Sequence, residues 1–192
     1  MIDSKEKLKE YLKRDAAASG RSSVKASFCG DEIWKFQLSL RKLEYFTNKK
    51  GIAKKLSVLH KLYYNYKYHK YSLKLSFSIP INVIDKGFSI AHYGTIVISK
   101  YAKIGENFRI HEGVTIGATN GNTDAAVIGN NVFVASGAKI IGAVSIADDV
   151  AVGANAVVTK SIENAGTTWG GIPAKQISDK NSHANLNKVL FE

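Results

Sequence analysis

Two histidines, His92 and His111, lie nineteen residues apart in a stretch where aliphatic residues recur regularly. An imidazole has an unperturbed pKa of about 6.5, so much of it is neutral at pH 7 and able to take a proton from a hydroxyl group. A pair meeting at one place would supply a proton acceptor and a second group to orient it or to hold a substrate. If they do not meet, the plainer reading is that both decorate an outer edge, since histidine is mostly intermediate in burial. The winding of the chain between them decides the matter.

That winding is written in a six-residue period. From Ile98 to Val158 an aliphatic residue returns at Ile98, Ile104, Ile110, Ile116, Ile128, Val134, Ile140, Ile146, Val152 and Val158, and only Asn122 breaks the series. Two residues before each stands a small or apolar one: Ala102, Phe108, Val114, Ala126, Val132, Ala138, Val144, Val150 and Ala156, with Asn120 the exception. Residues i and i−2 share one face of a strand, whereas a helix would space its apolar residues by three and four. Each unit is therefore a short strand plus a turn, and such units must stack as a solenoid to bury their faces. With three strands to a coil, residues 18 apart stack at about 4.8 Å.

The frame slips in two places. Ile84 and Ile90 keep the spacing of six, but Ile90 to Ile98 is eight, so two residues are inserted and His92 is among them. Allowing for the slip, Ile90 lies beneath Ile110, which puts His92 and His111 near one corner of adjacent coils. The second departure, Ala118 to Ala125, is polar, carries a glycine and has no aliphatic residue at the repeat position, and is expected to leave the prism as a loop.

Units such as Ile104-Gly-Glu-Asn-Phe-Arg and Ile128-Gly-Asn-Asn-Val-Phe resemble those of the hexapeptide-repeat acyltransferases. The branch most similar is the serine O-acetyltransferase group with its polysaccharide-modifying relatives. The resemblance runs from about Ser78 to Ile177, roughly half the chain. It implies a mainly β fold, a left-handed parallel β-helix preceded by an α-helical region; the left hand comes from the resemblance alone, since most parallel crossovers are right-handed. The divisions expected are a basic helical region over 1–77, the β-helix over 78–177 and a tail over 178–192.

The resemblance also implies chemistry. In Ile90-Ala-His92-Tyr-Gly94-Thr, His92 matches the family's general base, with backbone amides near the loop stabilising an oxyanion. His111 is expected to orient it or to bind substrate, and Tyr93 and Asn120 to contact the acceptor. Acetyl-CoA would lie along Ser136, Ala154 and Thr159, with Lys160 and Lys175 meeting its phosphates; the alternative for these lysines is ordinary surface charge. Relatives assemble as homotrimers with sites at the seams, and no metal is expected.

Departures from the pattern bear on the acceptor. Ala91 stands where serine acetyltransferases have Asp before the base, the Asp that holds the amino group of serine falls near Phe77, and a second active-site His falls near Ala125. A buried ammonium needs a charge partner, so the expectation is a saccharide hydroxyl, as in capsule or surface-polysaccharide synthesis, with serine as the alternative acceptor. A zinc hydro-lyase on the same solenoid needs three imidazoles, and the repeat region offers two; a non-catalytic scaffold is the remaining reading.

The rest of the chain bounds the setting. It has 192 residues, 45% of them hydrophobic, and a net charge of +11. Cys29 is the lone cysteine, so no intrachain disulfide forms and a cytoplasmic location fits. No apolar run approaches the ~18 residues of a membrane span. Helices are expected from the Asp3–Glu6 capping box to about Ala18 with Gly20 ending it, from Asp31 to Asn48, and from Ile52 to about Tyr71. The third carries Leu56, Leu59, Leu62, Tyr63 and Tyr66 among lysines. Such a face packs on the solenoid or a neighbouring subunit, the favoured reading, or makes peripheral contact with the inner membrane surface or an anionic glycan. Nucleic acid is not an expected partner, because no recognition motif accompanies the lysines.

Overall fold

The structure, a computed structural model, describes residues 1–119 and 123–192. Four helices come first: α1 (Lys5–Ala18), α2 (Glu32–Asn48), α3 (Gly51–Leu56) and α4 (Val58–Leu75). Among the described residues, fourteen short strands, numbered in chain order, then wind through three sheets. One sheet holds β1 (Phe77–Ser78), β3 (Ile96–Ile98), β6 (Thr115–Gly117), β9 (Lys139–Ile141) and β12 (Val157–Val158). A second holds β4 (Lys103–Ile104), β7 (Val127–Ile128) and β10 (Ser145–Ile146). The third holds β2 (Ser89–Ile90), β5 (Arg109–Ile110), β8 (Phe133–Val134), β11 (Ala151–Val152), β13 (Thr168–Gly170) and β14 (Lys175–Ser178). All neighbours are parallel except β13 and β14.

The register is the one that the six-residue frame requires. Ile98, Ile116, Ile140 and Val158 stack in the first sheet, Ile104, Ile128 and Ile146 in the second, and Ile90, Ile110, Val134 and Val152 in the third; all are buried. The second series lines the prism beside them, with Ala102, Phe108, Val114, Ala126, Val132, Ala138 and Ala156 also buried. Stacking copies the same side chain position from coil to coil, so the interior is continuous though no strand among the described residues exceeds four residues.

The turns are stacked too. Asn107, Asn131 and Asp149 all have positive φ, the region that asparagine and aspartate tolerate best after glycine. Their side chains form a ladder: Asn107 Nδ2 donates to Asn131 Oδ1 at 2.7 Å and Asn131 Nδ2 to Asp149 Oδ1 at 2.9 Å. Arg14 of α1 caps one end through Nε at 3.0 Å, and His183 closes the other on Asp149 at 2.6 Å.

A buried ion cluster fastens the helices to the first coil. Arg41 is fully buried; its Nε donates to Asp15 at 2.7 Å and its Nη1 to Glu44 at 3.1 Å, while its Nη groups reach the carbonyls of Ile84 and Asp85 at 2.8 and 2.7 Å. Burial works to strip the guanidinium of its proton, but the Asp15 and Glu44 carboxylates outweigh it and hold the proton more firmly than usual. Asp15 also accepts from the amides of Gly87 and Phe88 at 2.8 and 2.9 Å. The segment leading into β2, and so to His92, is thus held by helix side chains.

Three expectations for the helices change. Ser4, not Asp3, caps α1: its extended backbone lets Oγ accept from the amide of Lys7 at 3.1 Å, leaving Asp3 to pair with the Lys7 ammonium at 3.0 Å. The third helix is two, broken at Ser57, whose hydroxyl bonds back to the Lys54 carbonyl at 3.0 Å, and α4 runs on to Leu75. Within the chain, the face expected to pack is exposed. Leu56, Leu59, Leu62, Tyr63 and Tyr66 are solvent-facing, and α4 meets α2 through the opposite side, where Tyr68 lies on Phe36 and Tyr64 on Phe46. Gly20 does end α1, with φ +68 and the Arg21 amide returning to the Ala16 carbonyl at 2.8 Å. The tail is ordered: two short 3₁₀ turns over His183–Asn185 and Lys188–Leu190 seat Leu186 and Leu190 against Ala18.

Candidate active site

The two inserted residues widen the corner between β2 and β3 relative to the one between β5 and β6. Because Ile90 pairs with Ile110 and Val97 with Thr115, six residues span the first corner where four span the second. The wider turn carries His92 into solvent above His111. The ring centroids are 5.3 Å apart at 85°. His111 is half-buried, its far side edge-on to Phe133 at 5.1 Å, and its Nδ1 is 3.4 Å from the Ser136 hydroxyl of the next coil.

Glu112 joins this corner. One ligand atom from each of His92, His111 and Glu112 can be chosen so that all three lie within 4.8 Å of one another. The trio contains donors suited to a divalent cation, but no third imidazole joins it among the described residues. The backbone here is tight: Gly113 has φ +75, and a Cβ on it would sit 3.1 Å from the Gly137 backbone. Lys139 donates to the Gly113 carbonyl, which sets a cation beside the corner.

The electrostatics favour a neutral imidazole and an ionised carboxylate. Burial, with the Arg109 guanidinium and His92 adding to it, lowers the His111 pKa below its ordinary value, while Glu112 opposes the shift. The nearby Ser136 hydroxyl, the Glu112 amide and the two imidazoles hold the Glu112 carboxyl below the usual range. Such a corner can accept a hydroxyl proton on His92 and keep His111 as an uncharged hydrogen-bonding partner.

Of the other residues singled out from the sequence, Ser136 lies at the corner itself and Ala154 stacks on it through the Phe133–Ala151 register. Thr159 and Lys160 are exposed at a different corner, after β12, and Lys175 is exposed at the start of β14. Tyr93 is 63% exposed and, with Gly94, lines a cleft shared with Glu32, Lys74, Leu75 and Ser76. Asn120 lies outside the described residues. Phe77 and Ala125 are buried, so the positions where acid and imidazole were missed are filled by apolar packing. Glu112 went unnoticed in the sequence; its signal was a carboxylate directly after His111, one coil from the widened corner that carries His92.

Residues 125–160 match the family model described as bacterial transferase hexapeptide (six repeats). The chain is 31% identical over 183 residues to a serine acetyltransferase of Helicobacter pylori (strain J99), an alignment covering 93% of this chain and 98% of that protein. A crystal structure of serine acetyltransferase from Brucella abortus strain S19 superposes with a TM-score of 0.70 at 20% identity, covering 93% of this chain and 72% of that one. A serine acetyltransferase solved in complex with CoA gives a TM-score of 0.66 at 20% identity, covering 90% and 71%. The shared fold is the left-handed parallel β-helix with an N-terminal helical region.

Proposed function

The chain belongs to the serine acetyltransferase family and is an acetyl-CoA-dependent acyltransferase, and on that premise we propose that it transfers the acetyl group to the hydroxyl of serine with His92 as general base. The observation that carries the reading is an exposed imidazole, His92, set over a half-buried imidazole where the corner between β2 and β3 is widened. Neutral His92 takes the hydroxyl proton as the oxygen attacks the thioester carbonyl. The oxyanion is met by backbone amides, and the imidazolium returns its proton to the departing CoA sulfur, giving the acetyl ester and free CoA. His111, held by Phe133 and Ser136, orients the base. Ser136 and Ala154 line the path of the pantetheine arm, with Thr159, Lys160 and Lys175 toward the phosphates. A homotrimer with sites at its seams completes the reading.

The relatives support serine better than the saccharide expected from the missing acids, because they match along almost the whole chain. The saccharide reading keeps one observation in its favour: Ala91, Phe77 and Ala125 offer no charge to an amino acid. CoA release from acetyl-CoA over serine, nucleotide sugars, lipid-linked sugars and oligosaccharides separates the two. His92→Ala should lower kcat on the accepted substrate by roughly 100-fold or more with acetyl-CoA affinity nearly intact. Full turnover by that variant removes His92 from the role of base.

A further inference from the structure

One oxygen of the corner carboxylate has nothing to accept from. Glu112 Oε2 is buried and makes no hydrogen bond, although the carboxylate reaches within 4.8 Å of imidazole nitrogens on both histidines. Its seat is specific: Gly94, at φ +130, lies so close that a Cβ there would be 3.0 Å from Glu112 Cβ. Glu112 as a residue is only half-buried, whereas the fully buried carboxylates are satisfied, Asp15 by Arg41 and two amides and Glu44 by Arg41 and the Asn82 amide. A buried acceptor without a donor costs free energy that an incoming N–H can recover, most of all a charged one.

We propose that Glu112 is a specificity-determining residue that receives the protonated amino group of a 1,2-amino alcohol whose hydroxyl faces His92. The inference rests on the acetyl-transfer reading above and narrows its acceptor class. In such a molecule three single bonds of about 1.5 Å, folded gauche, set the nitrogen about 3 Å from the oxygen. A carboxylate and a base less than 5 Å apart can therefore grip both ends of one small acceptor. The charge partner that Ala91, Phe77 and Ala125 do not supply comes from the next coil.

The test uses serine and 3-hydroxypropanoate, which differ only in the amine, on the full chain and on Glu112→Gln. The wild type should prefer serine in kcat/KM. In Glu112→Gln the serine to 3-hydroxypropanoate ratio should fall by about 10- to 100-fold, mostly through KM, and calorimetry should show the same loss in serine binding. Glu112→Asp, which keeps the charge, should retain part of the preference, and thermal melting with acetyl-CoA affinity reports whether each variant is folded. An equal loss on both acceptors means that Glu112 acts through His92 and overturns the proposal, as does an unchanged ratio. If neither compound is acetylated, the serine reading fails by itself, and glucosamine against glucose then poses the same question; a wild type indifferent to the amine in that pair overturns the role of Glu112.

Discussion

Replacing Asp15 by alanine should detach the helical region from the coil that carries His92. The carboxylate is fully buried and holds Arg41 Nε at 2.7 Å, Arg41 Nη2 at 3.3 Å, and the amides of Gly87 and Phe88 at 2.8 and 2.9 Å. Breaking a buried ion pair from one side costs about 3–5 kcal/mol, because the remaining charge is left without its partner. Each amide left dry adds about 1–3 kcal/mol, although water entering the gap takes part of that back. These costs overlap, and Glu44 still faces Arg41 at 3.1 Å, so about 5 kcal/mol is the expected loss. That is comparable with the whole stability of a typical domain, about 5–15 kcal/mol. At a urea slope of about 2 kcal/mol/M the midpoint, followed by far-UV circular dichroism, should fall by roughly 2–3 M. Adding Arg41→Met should recover part of the loss, since no orphaned charge remains. A shift of the single variant under about 0.5 M, or a double variant no more stable than the single, would refute the argument.

The lowered pKa of His111 has a sign that can be checked. The folded protein binds this proton less readily than the unfolded chain, so its contribution to stability is complete above about pH 6.5 and is lost as pH falls from there through the folded value. NMR titration should find His111 protonating below 6.5, and a midpoint at or above that value contradicts the burial argument. Gly113→Ala forces a side chain into a left-handed backbone position 3.1 Å from the Gly137 backbone, which cannot retreat. A loss of about 2 kcal/mol or more should appear in chemical denaturation, and a neutral result means the corner is looser than it looks. If the exposed stripe of α4 meets an anionic membrane, the protein should sediment with vesicles containing phosphatidylglycerol, and Leu59→Glu with Leu62→Glu should abolish this; no sedimentation of the wild type dismisses the idea.

The β-helix could be read from residue order because a solenoid makes its long-range contacts at a fixed sequence spacing. Ile110 needs only to know that Ile90 and Val134 are one coil away, and the slip at Ile90–Ile98 carried enough information to bring His92 and His111 together. Periodicity turns a tertiary contact into a local pattern. The helices have no such rule. That Arg41 would be buried between Asp15 and Glu44, or that α4 would pack through Tyr64 and Tyr68 and expose Leu59, depends on contacts between segments far apart in sequence at no fixed spacing. Glu112 falls between the two cases. Its place at the corner was fixed by the repeat, but the burial of one oxygen without a donor is a matter of packing, with Gly94 close against its Cβ and Ser136 near its carboxyl from the coils on either side.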